Sequence, residues 1–125
     1  MKTFFDMYEE CKRQEWNGCG VSVVDKDSFH KLGKKFLKTV AKQLNLPNFD
    51  VRSNKGGDAI VGEVILHTPS FYVNIGTNFS YARACQGMKD YSGGVNNTIP
   101  TEALKSVNDF IEFLQYRGFV FLMPE

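Results

Sequence analysis

Five lysines, Lys31, Lys34, Lys35, Lys38 and Lys42, fall within the stretch HKLGKKFLKTVAK. Ammonium groups are strongly hydrated point charges, and a row of them attracts phosphates or carboxylates. Residues 26–44 hold six lysines and one aspartate, a net +5, while the segments on either side each carry −2 and the whole chain +1. A protein dedicated to duplex DNA carries a clear basic excess. The overall balance therefore counts against that role and leaves a local anion-binding face. No arginine lies in this run and no exposed aromatic interleaves with it, the combination that single-strand binders use. Two partners suit the row. One is an acidic face of another protein. The other is nucleic acid, for which Arg52, Lys55 and Arg83 would join the lysines. The plain alternative is a solvated helix face.

A second group of chemistry-bearing residues lies in GTNFSYARACQGMKDYSGGVNNTIP, residues 76–100. Tyr81, Arg83, Met88 and Tyr91 are of the types that dominate protein contacts, with Lys89 beside them. The glycines and asparagines of SGGVNNT supply adaptable backbone. Long connections without structure of their own are uncommon in compact domains and are often functional, so these five residues form the expected partner-binding set. The plain alternative is one helical turn in YARACQGM followed by an ordinary surface loop.

Cys85 sits between Arg83 and Lys89, cations of the kind that draw a thiol toward thiolate, and His67 would be its base. One cysteine and one histidine without a family signature do not define an enzyme. A small cysteine between alanines, as in ARACQ, serves packing more often. No catalytic residue is therefore assigned. A small-ligand binder or cysteine-based enzyme around Cys85, His67 and Arg83 stands as the third reading. The two histidines, His30 and His67, and the three cysteines, Cys11, Cys19 and Cys85, show neither zinc spacing nor a disulfide pattern. No metal or cofactor is expected. SNKGGDAIVGE places a lysine before a Gly-Gly pair, but a phosphate loop needs GxxxxGK[ST] between strand and helix. Here the glycines join two strands, as a hairpin turn does.

The elements that must position these residues follow from period and turn chemistry. TFFDMYEECKRQEW, residues 3–16, puts Phe4, Phe5, Tyr8 and Cys11 on one helical face, and NGCG at 17–20 ends it. VSVV at 21–24 reads as a short strand or an extended lead. A helix over 25–47 is capped by Asp25 or Asp27 and stopped by Pro47. Its stripe is Phe29, Leu32, Phe36, Val40 and Leu44, with Leu37 flanking and the lysines turned away. FDVRS at 49–53, AIVGEVILH at 59–67 and FYVNIG at 71–76 make a β-meander, with TNFSYARAC as a further candidate strand. A helix over 101–117 buries Leu104, Val107, Ile111 and Leu114, with Ala103 and Phe110 beside them. Thr98 or Thr101 caps it, Pro100 suits its first turn and Gly118 its exit. FVFLM at 119–123 reads as a last strand.

Strands clustered between helices predict an α+β domain. Its expected form is an antiparallel sheet of about four or five strands with two or three helices mainly on one face. At 125 residues and 42% hydrophobic composition, one domain with a real core is expected. The charged N-terminus is unlike a signal peptide, no apolar run has the length of a membrane span, and unpaired thiols suit a cytoplasmic protein. Eleven phenylalanines exceed what a small core needs, so some aromatic surface is expected at an interface, a second copy of the chain included. These features favour a small protein acting by contact, as an inhibitor or adaptor of a larger one. In size and lack of catalytic signature it resembles small accessory proteins of mobile elements, with no motif behind the likeness.

Overall fold

A computed structural model describes residues 3–16, 20–46, 48–55, 60–68, 71–76, 82–86 and 95–116, with the side chains of 71, 72, 82–86, 95–99 and 116 left out. Helix α1 spans Phe4–Trp16. Its start is a reciprocal cap: Asp6 N–H donates to Thr3 Oγ1 at 3.1 Å and Thr3 N–H to the Asp6 carboxylate at 3.0 Å. Phe4, Met7, Tyr8 and Cys11, spaced three or four apart except for the adjacent Met7 and Tyr8, are its buried face.

Helix α2 spans Val23–Gln43 and begins earlier than the sequence suggests. Ser22, not an aspartate, is the cap, its Oγ accepting from Asp25 N–H at 3.1 Å. The VSVV stretch is therefore cap and first turn, not a strand. Val23 and Val24 are exposed there, so their β-branched character has no core to serve. The buried face is Phe29, His30, Gly33, Phe36, Leu37, Val40 and Ala41. It is rotated from the expected stripe, with Leu32 and Leu44 left only partly buried.

Strands β1 Asp50–Asn54, β2 Glu63–His67, β3 Phe71–Gly76, β4 Ala82–Gln86 and β5 Val95–Ile99 follow one another in a single antiparallel sheet. Val64, Leu66, Val73 and Ile75 are buried, while Glu63, Ile65, His67 and Asn74 between them are partly exposed. This alternation gives the sheet a core face and an open face. β2 starts later than its apolar run implies, because Gly62 holds φ +85° and a Cβ there would lie 2.0 Å from the Asn54 carbonyl oxygen. Residues 95–98 are strand, not loop, which corrects that part of the expected connection.

The expected helix over 101–117 is two pieces: a 3-10 turn at Thr101–Leu104, then α3 at Val107–Tyr116. Ser106 accepts from Asp109 N–H at 3.0 Å and restarts the helix after the break. The restart leaves Leu104, Phe110 and Leu114 fully buried and Val107 and Ile111 at the margin. The expected strand at 119–123 and the exit at Gly118 lie outside the described residues. Phenylalanines join the helices: Phe4 of α1 lies 5.3 Å from Phe29 and 5.2 Å from Phe36, and Phe36 lies 5.5 Å from Phe110 of α3. Such tilted or edge-on pairs add about 0.5–1.5 kcal/mol each beyond area burial. The class is α+β, and this aromatic chain fixes α2 between α1 and α3 with its lysines outward.

Candidate functional site

Because the core claims Phe29, Phe36, Leu37 and Val40, the helical period turns the lysines toward solvent. Lys31, Lys34, Lys35, Lys38 and Lys42 line a groove of about 680 Å³, and Lys55, just beyond β1, completes it. Asp27, His30 and Thr39 are its remaining described lining. Lys55 Nζ lies 3.2 Å from the Asp27 carboxylate, both side chains exposed. A surface pair of this kind contributes about 0–1 kcal/mol, so it pins geometry weakly. Among the described residues, none of the five helix lysines has an ion-pair partner. The groove thus concentrates like charge along three turns with one carboxylate at its end. An anion entering it gains attraction and breaks no existing pair along most of its length.

His30 is the one buried polar side chain among the described residues, 2% exposed. Its Nε2 lies 2.6 Å from the carbonyl oxygen of Val61, just before β2. A carbonyl oxygen only accepts, so Nε2 carries the proton and donates. Its Nδ1 has no hydrogen-bond partner. Burial pushes the pKa of His30 below its usual value, and nearby Lys55, Lys26 and Lys34 push the same way, against the hydrogen bond to Val61. The ring is therefore neutral at pH 7. Glu15 of α1 accepts from the N–H of the same Val61 at 2.6 Å. Val61 is held on both sides, by α1 and α2.

His30, Asp27 and Thr39 were not singled out by sequence reasoning as groove residues. A signal existed for His30: it shares a flank of the helix with Leu37 and Ala41, seven and eleven residues on, and all three are buried. Val61 carried no signal, since its contacts with Glu15 and His30 span 46 and 31 residues.

Of the expected partner-binding set, Tyr81, Met88, Lys89 and Tyr91 lie outside the described residues. Arg83 is in β4, its backbone paired with Asn74 and Thr98. The register runs Arg52, Ile65, Asn74, Arg83 across four strands, so Arg52 and Arg83 share a row. Arg52 is exposed and paired with Asp50, while its strand neighbours Val51 and Ser53 are half-buried. Of the residues expected to join the lysines, only Lys55 lines the groove among those described. His67 and Cys85 each pair with Tyr72, on opposite sides of β3. Their backbones are two strand spacings apart, about 9–10 Å. A base and its nucleophile must come within about 2.6–3.2 Å, and the side chain of Cys85 lies outside those described.

A second surface lies where α1 gives way to α2. Trp16 is 57% exposed, with Lys12 Nζ 5.0 Å from its ring centroid. Val23 and Val24 are exposed at the start of α2. Among the described residues, no three His, Cys, Asp or Glu side chains gather as metal ligands, and no helix is long and apolar enough to cross a membrane. Comparison with protein-family profiles, with curated proteins and with solved structures gives no match.

Proposed function

We propose that the protein acts by contact and carries out no reaction, and that the lysine groove along α2 is a face on which it engages an acidic segment of a larger protein. One observation carries this reading: five lysines share one helix face with Lys55 opposite, and none of the five is neutralised among the described residues. Lysine stems are flexible and their charges point-like, which suits irregularly spaced carboxylates. The groove lining includes no arginine fork and no aromatic platform among its described residues, which weighs against base readout and against stacking of single strands. Inhibitor or adaptor is the concrete form of this role. Tyr81, Arg83, Met88, Lys89 and Tyr91 are the proposed second part of the partner surface, and a second copy of the chain is a proposed alternative occupant of it.

The test is a tagged pull-down from host lysate, with and without nuclease, comparing the wild type with Lys34→Glu/Lys38→Glu. A protein recovered after nuclease by the wild type and lost by the variant supports the reading. Recovery of nucleic acid alone, released by salt, moves the groove to the nucleic-acid alternative.

A further inference from the structure

We propose that the His30 end of the groove is a phosphomonoester site, and that its ligand is a phosphorylated residue within an acidic segment of the partner protein. This rests on the groove being the partner-binding face and adds the chemical group it selects. The bond to Val61 leaves the lone pair of the neutral ring on Nδ1, which is buried and without a partner. Buried polar atoms without partners are rare, and each asks for an explanation, an absent ligand among them.

The missing group must be a donor when the ring is neutral or an acceptor when it is charged. A carboxylate only accepts, and so does a phosphodiester, so either can serve Nδ1 only when the ring is charged. A phosphomonoester has a second pKa near 6, about where an unperturbed imidazole titrates. As a monoanion its P–O–H donates to Nδ1. As a dianion it accepts from Nδ1–H of the charged ring. The proton sits on oxygen in one case and on nitrogen in the other, so a single proton serves both. The dianion also brings the second negative charge that a lysine cluster rewards.

Lys34 and Lys55 act on the ring electrostatically, and Lys31 follows it in the helix. Lys26 and Asp27 are the other charges of α2 near the ring, and Glu15 of α1 stands across Val61. Asp27 is the competitor: the phosphate takes Lys55 from it. Nδ1 is closed to bulk water, so the phosphate reaches it as lining side chains swing aside. Lys35, Lys38 and Lys42 then continue along the helix for about 10 Å, room for the acidic residues flanking the phosphorylated one.

The experiment uses the full chain with 15N-labelled histidines, His67 serving as internal control. The probes are inorganic phosphate, a short Asp- and Glu-rich peptide with a central phosphoserine, a charge-matched peptide with Glu-Glu in its place, and an oligodeoxynucleotide without a terminal phosphate. The phosphopeptide is expected to bind about tenfold more tightly than its Glu-Glu match, through added charge-assisted bonds, and to move the His30 Nδ1 resonance while His67 stays in place. Lys34→Gln, at a half-buried position of the groove, should cut that preference without unfolding the protein. Equal binding of the two peptides with His30 unmoved overturns the phosphate site and leaves the groove reading standing. A His30 shift with inorganic phosphate, but no phosphopeptide preference, overturns the protein source in favour of a small phosphate. Tighter binding of the oligonucleotide than of either peptide overturns both, and so does no binding of any probe at low salt.

Discussion

The imidazole Nε2 of His30 lies 2.6 Å from the carbonyl oxygen of Val61, and this bond ties the lysine helix to the entry of β2. Val61 is fully buried and outside the strand ladder, so its peptide groups need side-chain partners. His30 takes the carbonyl and Glu15 the N–H. Gly62 follows with a positive φ that turns the chain into β2. The position of the groove relative to Lys55 thus depends on a contact made by one of the groove's own lining residues.

Removing either clamp should destabilise the fold, and removing both should cost less than the sum. Glu15→Ala or His30→Ala each leaves one buried peptide group of Val61 unpaired, a loss of about 1–3 kcal/mol. Once one bond is gone the segment relaxes and the second has less to hold. A coupling of roughly 0.5 kcal/mol or more is expected from urea melts of the two single variants and the double. Strict additivity would show that the two bonds act independently.

Stability should also fall with acid in a way that His30 accounts for. Unfolded, its imidazole titrates near pH 6.5, whereas in the folded protein burial holds its pKa lower. Below about pH 6.5 the unfolded chain takes up a proton that the folded chain refuses, which favours unfolding. The stability of the neutral ring is therefore complete above that pH and is lost as pH falls toward the folded pKa. Thermal melts from about pH 7.5 to about pH 5 should show a steeper loss for the wild type than for His30→Gln. Parallel curves would mean that the ring is not held neutral.

The helices were legible where apolar residues repeat at three and four, as in α1 and the middle of α2. The meander of β1 to β3 was legible from alternation in FYVNIG and from its turn residues. What misled were residues whose local preference lost to context. Val23 and Val24 favour a strand by type, yet Ser22 caps a helix through them. The run from Ala59 to His67 looks like one strand, yet Gly62 breaks it. The spacing of the lysines away from the apolar stripe is legible in the sequence, and the five line one groove with Lys55, which the nucleic-acid reading names with Arg52 and Arg83. His30 was missed because its burial depends on Val61, which no period reveals.

Two glycines should respond differently to alanine. At Gly62 a Cβ would meet the Asn54 backbone at 2.0 Å in a conformation that alanine avoids. Backbone cannot step aside as a side chain does, so Gly62→Ala should cost well over 1 kcal/mol. At Gly33 the nearest atoms are side chains, Val64 at 2.9 Å and Phe4 at 3.0 Å. Overpacking there costs about 1–3 kcal/mol, and alanine returns up to about 1 kcal/mol of helix propensity. Gly33→Ala should be the milder change in chemical denaturation. The reverse order would mean that the β1–β2 connection yields more readily than the α2–β2 packing.

Charge on the groove should govern binding and leave the fold nearly untouched. Lys34→Glu/Lys38→Glu alters one half-buried and one exposed position, neither with an ion pair among the described residues, so stability should change by roughly 0.5 kcal/mol at Lys38 and somewhat more at Lys34. Partner recovery should be lost, while Lys34→Arg/Lys38→Arg, which keeps the charge, should retain it. Salt separates the partners. Exposed charges are screened over about 10 Å at 0.1 M and about 3 Å at 1 M, so an acidic protein held partly by apolar contacts should weaken moderately. A nucleic acid instead releases counterions, and its affinity falls linearly in log–log form by about 0.9 per neutralised phosphate of a duplex. A salt series on the recovered partner, run with wild type and both variants, therefore reads the charge of the groove and the class of its occupant together. Binding that survives the glutamate variant would remove the groove from the interface and shift the search to Trp16, Val23 and Val24, where the described surface is apolar and exposed.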